Sequence, residues 1–265
     1  MLQIDREKAK KAFDSHTAKY NMSEVKIRLK AEHTYRVADI AERIASSLYK
    51  EDAFVDFAWF LGLLHDVGRF EQVKRFDTFN DAISVDHAEF GADLLFKEGL
   101  ICEFLPEEIE YQHPSEDTSY WLSVAETAIR LHNKLTVPEG LDQKTLEFSH
   151  LLRDADKADI FKVLTEIPFE ERTSGFQGIP GQIGARDEVM KYVYAHKCVP
   201  RMTIRTEFET LISHACMGFE LVYDETKRVV KSQGYLKEYL KWTPKNDKEK
   251  EQLAILQGEL AELID

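Results

Sequence analysis

The chain has 265 residues, 43% hydrophobic and 31% charged, the make-up of a water-soluble globular protein long enough to bury one large helical core or two small ones. Its 35 basic and 48 acidic residues leave a net charge of −13 and a pI near 5.2, so the surface repels phosphate backbones; this argues against a nucleic-acid polymer as partner and permits a small anion in a locally basic pocket. Cys102, Cys198 and Cys216 are far apart without a CxxC, no apolar run nears bilayer length, and "MLQIDREKAKKAFD" lacks the apolar core of a signal peptide, which together point to reduced thiols in the cytoplasm and no membrane partner.

Residues 1–22 read as an N-terminal helix. Helical periodicity then continues almost throughout, with no convincing run of strands, so the expected fold is all-α. Ser23 is the expected cap of a long helix reaching Leu48, with Val25, Leu29, Val37, Ile40, Ala41 and Ile44 on its inner side. The Asp52 region opens a second helix whose run Phe54 to Leu64 leaves hardly any polar face, the pattern of a helix buried nearly all round. His65-Asp66 closes that run. Gly68 marks the expected helix C-terminus, which would put Asp66 in the last turn, facing the negative end of the helix dipole while losing water. A bound cation would reverse both penalties. A hydrogen bond stapling the helix end is the bland alternative.

Asp86 is the expected N-cap of "HAEFGADLLFKEG", which stops at Gly99. "YWLSVAETAIRLHNK" is helical and ends before Pro138. Residues 142 to about 166 form another long helix, closed by Pro168. The stretch 170–184 carries four glycines and a proline and reads as a surface loop, with a lid as the alternative. Helices are expected near 185–196, 203–233 and 235–242. A last helix aligns Leu253, Leu256, Leu260 and Leu263, a stripe that more often packs on its own chain; a homodimer is the alternative.

His33 shares a helix face with Arg36 and Val37 in "AEHTYRVADIAERIA", His87 opens a helix and His132 ends one. Asp156 lies between Leu152 and Ile160 on an inner face, whereas Asp154 and Asp159 fall on other faces and are expected to be solvated. Each of these residues alone is more often a satisfied histidine or a surface carboxylate. Together they run His, His-Asp, His, His, Asp on different helices, and helix bundles build metal sites from such converging side chains. His and Asp without thiolate suit manganese, iron, cobalt, nickel, magnesium or zinc.

The segments "AEHTYRVADIA", "LLHDVGRF" and "DADKADIF" resemble the HD-domain superfamily of metal-dependent phosphohydrolases, specifically a bacterial HD hydrolase group, over roughly residues 23–165. The resemblance implies an HD helical bundle at 23–165; beyond it, composition and periodicity give a glycine-rich loop at 166–184 and a helical extension at 185–265 expected to pack on the core. The resemblance also implies that His33, His65, Asp66 and Asp156 hold one divalent ion, and that His87 and His132 complete a second position with Asp66 bridging. Asp156 is preferred to Asp154 because the superfamily's last aspartate lies in an Ala-Asp-x-Leu-like context. The cyclic-dinucleotide phosphodiesterase branch is disfavoured, since its Gly-Tyr-Pro and His-His signatures give way here to Leu131-His132-Asn133.

Such a site would act through a metal-bound hydroxide on a nucleotide or small phosphorylated metabolite, with Asp66 and Arg69 as the catalytic residues. Arg69, one turn past Asp66, can hold phosphate in its guanidinium fork, and Arg36 and Lys157 could add charge. Lys74 and Arg75 read as solvated. An HD-fold di-iron oxygenase with the same six ligands is the second reading, and a non-catalytic binding protein the third.

Overall fold

Why the His-Asp pair is buried follows from the helix that precedes it. Phe57 to Leu64 are all buried in α3 (Asp52–Leu64), as the all-round apolar run requires. Its main partner is α2 (Val25–Leu48), whose buried stripe holds Ile27, Ala31, Val37, Ala38, Ile40, Ala41 and Ile44. The two helices meet at Gly62, where a Cβ would lie 2.5 Å from the Ala38 Cα. Only glycine allows that approach. A ring cluster then ties α3 to α6 (Glu116–Leu131) and to α7 (Gln143–Glu166). Phe57 packs edge-on to Trp121 at 5.2 Å and to Phe148 at 4.9 Å, contacts worth about 0.5–1.5 kcal/mol each beyond their buried area.

The computed structural model describes residues 1–166, 179 and 181–265. Most of the glycine-rich segment expected at 166–184, surface loop or lid, lies outside the described residues. Among the described residues the regular elements are helical and none is a strand, so the fold is all-α. The chain divides into two compact units, Met1–Asp156 and Lys157–Asp265, with α7 running through the division.

In the first unit α1 (Arg6–Thr17) precedes α2, and α3 leads into α4 (Val67–Phe76). A 3-10 turn at Asp81–Ile83 follows. Next comes α5 (His87–Ala92), which widens into one π turn over Asp93–Lys97. The caps follow local chemistry: Asp86 accepts from the Ala88 and Glu89 amides, Ser115 from Thr118, and Asp142 from Lys144 and Thr145. Gly99 takes φ of +80°, as a helix stop needs.

Several expectations are corrected here. Ser23 does not cap α2: its amide and hydroxyl both go to Asn21, and Glu24 holds the cap position without a side-chain bond. Val25, the first residue of that helix, is 56% exposed rather than inward-facing. The second unit contains α8 (Asp187–Tyr194), α9 (Glu207–Ala215), α10 (Asp224–Gln233), α11 (Tyr235–Tyr239), α12 (Asp247–Glu259) and α13 (Ala261–Ile264). The single helix expected over 203–233 is therefore two. A 3-10 stretch at Cys216–Glu220 and extended backbone at Leu221 separate them, where Gly218 admits the side chains of Leu260 and Leu263. The Leu253, Leu256, Leu260, Leu263 stripe is buried within this unit.

Candidate metal centre

His33 is carried by α2, His65 and Asp66 by the α3–α4 junction, His87 by the first turn of α5, His132 by the end of α6 and Asp156 by the middle of α7. All six are buried, and they converge. Asp66 is at the centre, with its two oxygens divided between two pairs of rings. Oδ2 lies 3.6 Å from His33 Nε2 and 3.4 Å from His65 Nε2. Oδ1 lies 3.4 Å from His87 Nε2 and 3.8 Å from His132 Nε2. Asp156 Oδ1 closes the first side, 3.2 Å from His33 Nε2 and 3.6 Å from His65 Nε2. Three ligand-sized groups result: His33, His65, Asp66; His65, His132, Asp156; and Asp66, His87, His132.

The local reason for Asp66's position differs from expectation. Gly68 does not end a helix. The first helix stops at Leu64, with His65 as its C-cap, and Gly68 lies inside α4. Asp66, at φ −107° and ψ 14°, is thus the N-cap residue of α4, beside the positive end of that helix dipole. The dipole term favours the carboxylate; burial alone opposes it. Its side chain makes no capping bond and turns to the histidines instead. Gly68 serves a close approach: a Cβ there would sit 2.6 Å from the His87 carbonyl oxygen and 2.6 Å from the Gly91 amide nitrogen. That contact brings α5, and with it His87, against the His-Asp junction.

The outer nitrogens of three rings are directed at acceptors. His65 Nδ1 reaches the Gly62 carbonyl at 2.7 Å, His132 Nδ1 the Ile129 carbonyl at 2.7 Å, and His87 Nδ1 the Asp81 carboxylate at 2.6 Å. A ring that donates from Nδ1 is left with a lone pair on Nε2, and each Nε2 faces the cluster. His65 Nε2 and Asp66 Oδ1 are buried without a hydrogen-bond partner. Inward-facing ring nitrogens, a buried carboxylate oxygen without a partner and two carboxylates form a donor set that fits divalent metal ions.

The electrostatics agree. Burial would raise the Asp66 carboxyl, but the Lys30 and His65 charges hold it well below the usual range. Asp156 is likewise held low against its burial by the neighbouring His33 and His65 rings. Burial, reinforced by the neighbouring His87 and His65, lowers His132 to about 3. His87 is lowered by burial too. For His65 burial also acts downward, yet the neighbouring Asp66 and Asp156 carboxylates outweigh it and raise the ring to about 10. Without an ion, the His65 proton, the Lys30 ammonium and the Arg69 guanidinium are cations beside Asp66.

Three residues here were not singled out from the sequence. Lys30 sits one turn before His33 and places Nζ 2.5 Å from Asp66 Oδ2; the i, i+3 spacing on one helix face was the available signal. Asp81, in a non-periodic connection, gave none. Arg153 is a buried side chain of α7 that donates to the Leu131 carbonyl at 2.9 Å and to the Lys134 carbonyl, fixing the turn that carries His132.

Arg69 does lie beside Asp66, with Nε 3.6 Å from Oδ1 and lacking a hydrogen-bond partner. Its Nη1, however, is held by Asp81 at 2.7 Å, the Phe79 carbonyl at 2.7 Å and Gln72 at 2.9 Å. Lys157 pairs with Glu220 at 3.5 Å, and Arg36 is half-buried. Lys74 and Arg75 are exposed and pair with Glu71. Asp154 and Asp159 correct the reading of them as solvated: both are buried, because the inward side of α7 there is wider than a single stripe.

Among the described residues no helix is long and apolar enough to cross a membrane. Neither the curated proteins nor the solved structures gave a match to this chain. The family model for the HD domain matches residues 31–163, a span that contains all six converging side chains and half of the chain. With the His and His-Asp motifs on their helices and Asp156 closing the cluster, the chain belongs to the HD-domain family of metal-dependent phosphohydrolases.

Proposed function

We propose that this protein is a metal-dependent phosphohydrolase acting on a nucleotide or small phosphorylated metabolite, with one or two divalent ions held by His33, His65, Asp66, His87, His132 and Asp156. The observation that carries the reading is the division of the Asp66 oxygens, Oδ2 toward His33 and His65 and Oδ1 toward His87 and His132. A single carboxylate so placed can bridge two ions. Manganese, iron, cobalt, nickel, magnesium and zinc all suit this donor set. When bound, such an ion acidifies water and polarises a phosphoryl oxygen.

The chain's own residues would do the rest. Carbonyl and carboxylate acceptors hold the rings so that little reorganisation is needed when ions bind. Arg69 is fixed through Nη1 before any substrate arrives, with its Nε edge beside Asp66, and would meet a phosphate-sized anion there. Lys30 can turn from the Asp66 carboxylate to a substrate oxygen once an ion takes its place. A soluble, cytoplasmic enzyme with no nucleic-acid polymer or membrane as partner fits this proposal.

The test is elemental analysis of purified protein, followed by a screen of nucleotides and sugar phosphates with each metal and with a chelator. Hydrolysis that chelation abolishes and manganese or cobalt restores is the expected result. No turnover of any phosphate ester, with bound iron and oxygen consumption, would replace hydrolysis by di-iron oxygenase chemistry at the same ligands.

A further inference from the structure

We propose that Asp81 is a positioning residue that keeps His87 Nε2 unprotonated and facing Asp66, and that it couples this ring to Arg69 through its second oxygen. Its bearing on metal binding rests on the proposed function; its bearing on the ring does not. Asp81 lies on the 3-10 turn between α4 and α5 and belongs to no apolar core. Its bonds instead go to one place. Oδ2 lies 2.6 Å from His87 Nδ1, while Oδ1 accepts from Arg69 Nη1 at 2.7 Å and from Gln72 Nε2 at 2.9 Å.

What makes Asp81 decisive is its competitor. Asn133 Nδ2 lies 3.5 Å from the same His87 Nδ1, and it is a donor. Its amide orientation is set by Asp86, whose Oδ1 accepts from Nδ2 at 2.8 Å. The ring nitrogen thus faces an acceptor and a donor, and the closer carboxylate requires the proton to be on Nδ1. Without Asp81, Asn133 would donate to a bare Nδ1, and the ring's one proton would move to Nε2. The inward face would then be an N–H pointing at Asp66, which can bind no metal. His65 and His132 are backed by main-chain carbonyls, so of these three rings His87 is the one that depends on a replaceable side chain. A charged acceptor also makes His87 the stronger donor to an ion.

The experiment uses the full, metal-free, nitrogen-15-labelled protein near neutral pH, with His87 assigned through His87→Gln. Imidazole nitrogen shifts should show the Nδ1–H tautomer in the wild type and the Nε2–H tautomer in Asp81→Ala. Asp81→Asn, which keeps an acceptor oxygen, should restore Nδ1–H. In titrations with manganese, Asp81→Ala should weaken one binding event about 10–100-fold and leave another intact, with Asp81→Asn between. An Nδ1–H tautomer in a folded Asp81→Ala protein overturns the proposal, as does unchanged metal binding in that variant. If Asp81→Ala fails to fold, an Asp81→Asn protein that has the Nε2–H tautomer overturns it equally. A wild type that binds no metal sinks the metal-centre reading alone, and the tautomer then decides the role of Asp81.

Discussion

The Nε2 atoms of His87 and His132 lie 3.0 Å apart while their Nδ1 atoms face the Asp81 carboxylate and the Ile129 carbonyl. Two neutral rings held this way present lone pairs to each other, beside an ionised Asp66. A cation between them would relieve this repulsion. The folded chain therefore has a built-in reason to bind one.

Metal should stabilise the fold measurably. A ligand at 100 times its dissociation constant adds about 2.7 kcal/mol to the folded state, so manganese or cobalt should raise Tm by several degrees. Asp66→Ala removes an acceptor common to both sides of the cluster and should abolish the rise, with affinity lower by more than about 100-fold. His87→Ala should lose only part of it. Asp66→Ala that retains full metal content by elemental analysis would show that the bridging assignment is wrong.

Metal uptake should also depend on pH with a definite sign. His65 is raised to about 10 in the metal-free protein, so near neutrality it carries a proton that an ion must displace. Affinity should rise with pH below that value, and calorimetry in buffers of different ionisation enthalpy should detect about one proton released per ion at that ring. Folding without metal has the opposite trend. A folded-state value above the unfolded one of 6.5 stabilises fully below the latter, and the contribution is lost as pH rises toward 10. The depressed Asp66 and Asp156 add stability above the unfolded 3.8 that is lost as pH falls through their folded values. Thermal melts of chelated protein should therefore decline on both sides. A flat melting temperature from pH 6.5 to 10 would contradict the His65 assignment.

The helices were legible because they rest on strong local signals, and the six converging side chains because their motifs, taken in order, resemble those of the HD-domain superfamily. The all-round apolar run before His65, the Asp86 cap and the inward placing of Asp156 between Leu152 and Ile160 needed only periodicity. Features set by approach across the fold were not. Gly68 reads as a helix stop in one dimension and is a contact between α4 and α5 in three. Asp81 could not be found from a connection without periodicity. Asp154 and Asp159 were misjudged because one face of a long helix does not predict how many neighbours surround it.

Gly68 yields a separate prediction about stability. In Gly68→Ala the new methyl would meet backbone atoms of His87 and Gly91 at 2.6 Å, and backbone cannot swing aside. Overpacking of this kind costs about 1–3 kcal/mol, more than the gain of up to about 1 kcal/mol from replacing a helical glycine. Denaturant unfolding should show a net loss, with weaker binding of one ion as His87 is pushed away. A variant as stable as the wild type would mean that α4 and α5 are free to separate there.

Arg69 offers the sharpest test of phosphate chemistry, because its Nη1 bonds already fix it in place. A pre-set charge beside the reacting group stabilises the transition state without reorganising, so its loss should lower kcat as well as raise KM. Arg69→Ala should cost on the order of 2–4 kcal/mol in kcat/KM, roughly 30- to 900-fold. Arg69→Lys keeps a point charge without the planar fork and should recover only part of that. Metal content must be measured in the same samples, since Nε lies 3.6 Å from Asp66 Oδ1 and truncation could alter ion binding. With the metal content unchanged, a rise in KM alone would confine Arg69 to substrate binding. Full kcat/KM in Arg69→Ala would remove it from the site, and the phosphate-binding role would then pass to Lys30, whose Nζ already touches Asp66 Oδ2 at 2.5 Å.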